Sequence, residues 1–151
     1  MTLVQSDMPK SYNQKCPVAV TLELVGDRWT LLIIRDLLRG PQRFQDLLAS
    51  QKGLAPTVLS ERLKHFEQHG LVRREFYSEH PPRARYALTD VGVSLGAIVG
   101  AMAAWGSKHL LPDLPLTHSE CGGPLEAGFY CAACNERVSG ESVSLPAVVQ
   151  E

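Results

Sequence analysis

Residues 56–88 read PTVLSERLKHFEQHGLVRREFYSEHPPRARYAL, and one change of rhythm inside this stretch decides the fold. Up to His69 the apolar residues fall at helical spacing, with Leu59, Leu63 and Phe66 at i, i+4 and i+7. Pro56 suits the first turn of that helix, where its missing N–H costs nothing. Gly70 closes it, since glycine reaches the left-handed conformation of a helix C-terminus without strain. Beyond Gly70 the pattern becomes extended. Leu71–Tyr77 predicts a strand, Ser78–Arg83 a loop and Ala84–Leu88 the returning strand. A hairpin directly after a helix of this kind is a wing.

Upstream of Pro56 the spacing predicts three more helices. Pro17–Val25 carries Val18, Leu22 and Val25 on one stripe and ends at Gly26. Asp27 is placed to cap Arg28–Leu38, whose apolar residues surround so much of its surface that it should be nearly engulfed. Arg43–Ser50 is short, and Gln51-Lys52-Gly53 turns the chain into the Pro56 helix. Two helices joined by a tight turn containing glycine make a helix-turn-helix. Downstream, Thr89 caps a long last helix to about Leu110, with Leu95, Ile98, Met102, Trp105 and His109 near heptad spacing.

The fold class that results is mostly α, strictly α+β: a winged helix-turn-helix with a long C-terminal dimerisation helix and a small zinc-ribbon-like C-terminal extension. Residues 1–14 form a flexible arm, 15–112 the DNA-binding and dimerisation domain, 117–137 the ribbon-like segment and 138–151 a tail. Hydrophobic residues at 44% and charged residues at 21% are an ordinary globular balance. The net charge of −1 is unevenly spread. Residues 1–117 hold 14 Lys and Arg against 11 Asp and Glu, whereas residues 118–151 hold one Arg against five Glu. The N-terminus lacks the apolar stretch of a secretory signal, so a cytoplasmic location is expected. Val91–Ser107 is uncharged and carries Gly92, Gly96 and Gly100 in a small-residue row, which in a membrane would read as a helix-pairing face. Its 17 residues fall short of the ~20 strongly apolar residues that a span needs, so no membrane partner is expected.

Nucleic-acid recognition follows from which side chains are left outside. With Leu59, Leu63 and Phe66 buried, Thr57, Ser60, Glu61 and Lys64 face outward, and the N-terminal side chains of such a helix reach base edges in the major groove. Arg62 flanks this face. Arg43 is placed to touch the DNA backbone, and Arg83 and Arg85 on the wing can enter the minor groove or hold phosphate. Each of these residues alone reads better as solvated surface; their ordered combination points to double-stranded DNA.

Two long segments resemble the HxlR family of bacterial regulators. One is CPVAVTLELVGDRWTLLIIRDLLRGPQRFQDLL and the other is GLVRREFYSEHPPRARYALTDVGVSLGAIVGAMAAWG. The likeness runs from Cys16 to His109, with Gly-Asp-Arg-Trp standing where many members have Gly-Gly-Lys-Trp. It implies a homodimer paired through its first and last helices. It also implies binding to a palindromic operator, with control, as a repressor, of a stress or detoxification gene. In some members a cysteine matching Cys16 senses electrophiles or oxidants. Such a role suits a thiol beside a helix N-terminus, where thiolate is stabilised. A non-covalent small-molecule inducer is the alternative.

A separate constellation, His118-x2-Cys121-x9-Cys131-x2-Cys134, has the residue types and spacing of a Cys3His structural zinc site. Asn135 stands where such ribbons often carry glycine. Four protein ligands leave no open position, so no catalysis is expected of it. A redox enzyme using Cys131-Ala-Ala-Cys134 would need a βαβ setting that the surrounding proline- and glycine-rich sequence does not offer. A protein-interaction role for the segment is the remaining reading.

Overall fold

The computed structural model describes residues 11–146 and 148–150; most of the N-terminal arm, residues 1–10, lies outside the described residues. Helix α1 spans Pro17–Val25 with Pro17 in its first turn, and the Gly26 N–H closes it on Leu22 O at 2.7 Å. Helix α2 spans Thr30–Leu37. It starts two residues later than Arg28 because Asp27 organises the turn before it. One Asp27 carboxylate oxygen accepts the Trp29 N–H at 3.0 Å and the other takes the Thr30 hydroxyl. The expectation that α2 is nearly engulfed is corrected: Ile33, Ile34 and Leu37 are buried, but Leu32 and Leu38 are exposed.

Strand β2 (Gln42–Arg43) leads into helix α3 (Phe44–Ser50), and helix α4 follows over Pro56–Gln68. Leu59, Leu63 and Phe66 of α4 are fully buried among Ile33, Ile34, Leu47, Leu71 and Leu88. Gly70 adopts φ +67°, the left-handed closure that the sequence predicts. Strands β3 (Val72–Glu79) and β4 (Pro82–Leu88) form the wing, and β2 adds to the outer side of β4, giving the order β2-β4-β3. The hairpin is longer than periodicity suggests. Ser78 pairs with Arg83 and Glu79 with Pro82 across a register shift near Tyr77, so only His80 and Pro81 make the turn. Arg83 therefore sits in β4, one pair below the tip.

The last helix is not continuous. Helix α5 (Asp90–Ser94) and helix α6 (Gly96–His109) meet at Leu95, whose side chain joins the core. Thr89 caps α5 by accepting the Gly92 N–H at 3.1 Å. By length and composition Asp90–His109 could cross a membrane. Here Leu95, Ile98 and Val99 pack it onto the winged-helix core, while Met102 and Trp105 stay exposed.

The glycine row of this segment packs partly within the chain itself. A β-carbon on Gly92 would collide with Leu71 O, and one on Gly96 would lie 3.3 Å from a Leu38 methyl. Gly100 has nothing within 4 Å. Gly92→Ala is therefore expected to cost about 2 kcal/mol or more through overpacking against backbone. Gly100→Ala should be neutral or stabilising by up to about 1 kcal/mol, the usual helix-propensity difference. Urea unfolding of the two variants checks this; a Gly92→Ala protein as stable as the parent would remove the close approach to Leu71.

After α6 no residue from 111 to 146 is buried. Two hairpins follow in turn. The first is closed by a Thr117–Pro124 bridge and the second pairs strands β5 (Phe129–Cys131) and β6 (Glu136–Val138). The ends that the sequence assigns to an arm and a tail meet. Strand β1 (Gln14–Lys15) pairs antiparallel with β7 (Val149–Gln150), and the Tyr12 N–H donates to Glu23 Oε1 at 2.8 Å.

Candidate nucleic-acid interface

Helix α4 presents one polar row to solvent. Thr57, Ser60, Glu61 and Lys64 are all exposed, at the spacing that puts them on a single face, and their helix is fixed from behind by Leu59, Leu63 and Phe66. Lys64 and the exposed Arg83 make no ion pair among the described residues. Both charges are free to meet phosphate.

The other arginines on the wing side already have carboxylate partners. Arg43, at the N-cap position of α3, grips Asp46 through Nε at 2.8 Å and Nη2 at 2.9 Å. That fork raises the Arg43 pKa and holds the Asp46 carboxyl below the usual carboxylate range. On the hairpin, Arg85 bonds Glu75 at 2.9 Å across the strands and Arg73 reaches the same carboxylate at 2.9 Å. Glu75 is held acidic by these two guanidiniums, Arg85 foremost. Arg43 and Arg85 face each other as register partners between β2 and β4. Contact with DNA at these two positions exchanges a carboxylate for a phosphate, a smaller gain than a free cation offers.

Arg62 departs from the outward set. Its side chain is only 20% exposed and its guanidinium turns inward to Asp27 at 3.5 Å, leaving Nε buried without a partner. Arg62 thus ties α4 to the start of α2 and positions the recognition helix rather than flanking its exposed face. Sequence spacing puts Arg62 next to Glu61 on the helix; the pull of Asp27, 35 positions earlier, is a long-range fact.

A second positioning group escaped the sequence reading. Asp36 of α2 is buried, and its carboxylate accepts from Ser50 Oγ at 2.6 Å, Gln51 Nε2 at 2.5 Å and Arg35 Nη2 at 2.9 Å. Burial pushes the Asp36 pKa up, but hydrogen bonds from Ser50, Arg35 and Gln51 outweigh it and the net direction is down. Ser50 and Gln51 are the last residue of α3 and the start of the turn, so this carboxylate sets the turn of the helix-turn-helix. The available signal was a charged residue amid the apolar positions of α2.

Cys16 is half-buried at the N-cap position of α1 and directly follows β1. His118 Nδ1 lies 3.3 Å from Cys121 Sγ. Cys131 lies within hydrogen-bonding reach of Cys134, and its thiol is shifted down chiefly by the backbone N–H groups of Cys134 and Ala133. The structure thus gathers the expected set as two pairs. Among the described residues no three His, Cys, Asp or Glu side chains stand close enough to hold a metal ion.

An apolar groove of about 720 Å³ is lined by Val18, Leu22, Leu31, Leu32, Ile98 and Met102 of α1, α2 and α6.

Residues 24–113 match the family described as HxlR-like helix-turn-helix. An uncharacterised HTH-type transcriptional regulator of Mycobacterium tuberculosis is 37% identical over 131 residues, covering 84% of this chain and 82% of the relative. The solved structure of a candidate transcription factor from Pseudomonas aeruginosa superposes with a TM-score of 0.64 at 32% identity, covering 87% of this chain and 92% of that one. The redox regulator HypR in its reduced form aligns with a TM-score of 0.58 at 30% identity, over 65% of this chain and 99% of its own.

Proposed function

The chain belongs to the HxlR-like helix-turn-helix family of transcriptional regulators, and we propose that it works as a homodimer that represses from a palindromic operator and lets go when Cys16 is modified. The observation that carries the DNA reading is the outward row Thr57, Ser60, Glu61 and Lys64 on a helix locked by a buried apolar back, followed by a basic hairpin. Thr57 and Ser60, near the helix N-terminus, read base edges; Lys64, Arg83, Arg43 and Arg85 hold phosphates.

The groove between α1, α2 and α6 supports the dimer. Val18 at 53%, Leu22 at 44% and Met102 at 57% exposure line this one groove together, unlike scattered surface residues. A palindromic operator requires that a second copy laid on it set the two α4 helices on one face. The same groove is roomy enough for an apolar inducer, which supports a non-covalent signal as the second reading.

For the thiol reading, the support is the Cys16 position at the head of α1, the helix that lines the dimer groove, together with the likeness to HypR. A quinone adds to the Cys16 thiolate by forming a carbon–sulfur bond while the ring takes up a proton. The adduct adds bulk at the base of α1.

Fluorescence anisotropy with DNA from the promoter next to the gene tests the reading. Benzoquinone is expected to lower the affinity of the parent protein at least tenfold and to leave Cys16→Ser unchanged. An equal response in Cys16→Ser moves the signal to another thiol. No response in either protein, with release by a groove-filling apolar compound, establishes the second reading instead. A stable monomer in sedimentation that still binds the palindrome tightly defeats the dimer.

A further inference from the structure

We propose that His118, Cys121, Cys131 and Cys134 bind one structural zinc ion that clasps the two C-terminal hairpins together. The basis is a repeated backbone turn. In the first hairpin the Gly122 N–H donates to His118 O at 2.8 Å, and in the second the Asn135 N–H donates to Cys131 O at 2.8 Å. The residue that closes each turn has a left-handed backbone, Gly122 at φ +69° and Asn135 at φ +58°. Glycine takes that conformation freely and asparagine is the side chain that most readily tolerates it. Asn135, which the sequence alone marks as a departure from a ribbon, does the glycine's work.

In the first turn a backbone N–H is also aimed at sulfur: the Gly123 N–H reaches Cys121 Sγ at 3.4 Å. Two ligand-x2-ligand turns of one geometry, supplying three thiolates and one imidazole, are a complete tetrahedral set for zinc.

A second observation asks for a staple. No residue between 111 and 146 is buried, and Leu114, Phe129, Tyr130 and Leu145 are each more than half exposed. Among the described residues, the side-chain hydrogen bond joining β6 to the connection between the hairpins is Arg137 Nη2 donating to Glu126 O at 3.2 Å. Two three-residue strands without a core are marginal by themselves, and a metal is the usual remedy at this size. The two ligand pairs stand apart in the structure, so closing the site brings the hairpins together about the exposed 125–128 connection. Zinc binding displaces the protons of three thiols; no oxidant or reductant takes part.

The test uses the full-length chain purified under reducing conditions without chelators. About one zinc per chain is expected by elemental analysis. Cobalt(II) added after metal removal should give tetrahedral d–d bands and thiolate charge-transfer absorption. His118→Asn, Cys121→Ser and Cys131→Ser should each shift those bands, and Cys16→Ser should not. Metal content of the parent protein does not depend on any variant folding. Reduced parent protein that holds neither zinc nor cobalt overturns the proposal. So does a cobalt spectrum indifferent to both His118 and Cys121, and so does a Cys131–Cys134 disulfide in the freshly purified chain.

Discussion

Asp36→Ala is expected to destabilise the protein by about 3 kcal/mol, the cost seen when one partner of a buried charged network is removed. The carboxylate is 6% exposed and is the shared acceptor for Ser50, Gln51 and Arg35. Gln51 is itself buried, so its amide would lose its acceptor with no water to replace it. At this chain length the loss corresponds to roughly 6–12 °C in melting temperature. Asp36→Asn should fall between, since the amide keeps one acceptor oxygen and Ser50 and Gln51 both use Oδ2. The pH dependence follows from the lowered pKa. The charged carboxylate contributes stability above its ordinary value of 3.8, and that contribution is lost as pH falls through its lower folded value. The parent and Asp36→Asn stabilities should therefore converge in acid. Chemical unfolding at pH 7 and in acid measures this. A cost under about 1 kcal/mol at pH 7 would mean that the turn is held by apolar packing alone.

How much of this was legible in the sequence depends on the range of each interaction. The α4 stripe Leu59, Leu63, Phe66, the closure at Gly70 and the cap at Thr89 depend on neighbours a few residues away, and each stands in the fold as its pattern predicts. Wherever a partner lies far along the chain, spacing is silent. Arg62 looks like part of an exposed basic face until Asp27 claims it. Asp36 looks like a surface charge until the α3 end and its turn fold over it. The break at Leu95 is likewise invisible to heptad spacing, which continues through it, while the Leu95 N–H turns to Gly92 O at 3.2 Å and ends α5. The site residues fared similarly. Their exposure on α4 followed from periodicity, and Asp46 lies only three residues from Arg43, whereas the carboxylate holding Arg85 required the strand register.

That distinction between free and occupied arginines sets the largest effect expected on DNA. The double substitution Lys64→Ala, Arg83→Ala removes two cations that have no ion-pair partner among the described residues, hence four in the proposed dimer. Each phosphate contact contributes about 0.9 to the slope of log affinity against log salt. The dimer's slope should fall by about 3.6, so that its loss between 50 and 200 mM salt shrinks roughly a hundredfold relative to the parent. Affinity should drop for operator and unrelated DNA alike, because phosphates carry no sequence. Thr57→Ala and Ser60→Ala should act in the complementary way, changing preference among operator variants with little change in slope. Glu75→Gln should have the opposite sign. It releases Arg85 and Arg73 from the carboxylate that both now share, and it should raise affinity and steepen the slope. Anisotropy titrations across a salt series, run on operator and on scrambled duplex, separate these outcomes. An unchanged slope in the double variant would place the wing and Lys64 off the DNA, and a fall in affinity for Glu75→Gln would mean that the hairpin needs its ion pairs for shape more than DNA needs its arginines.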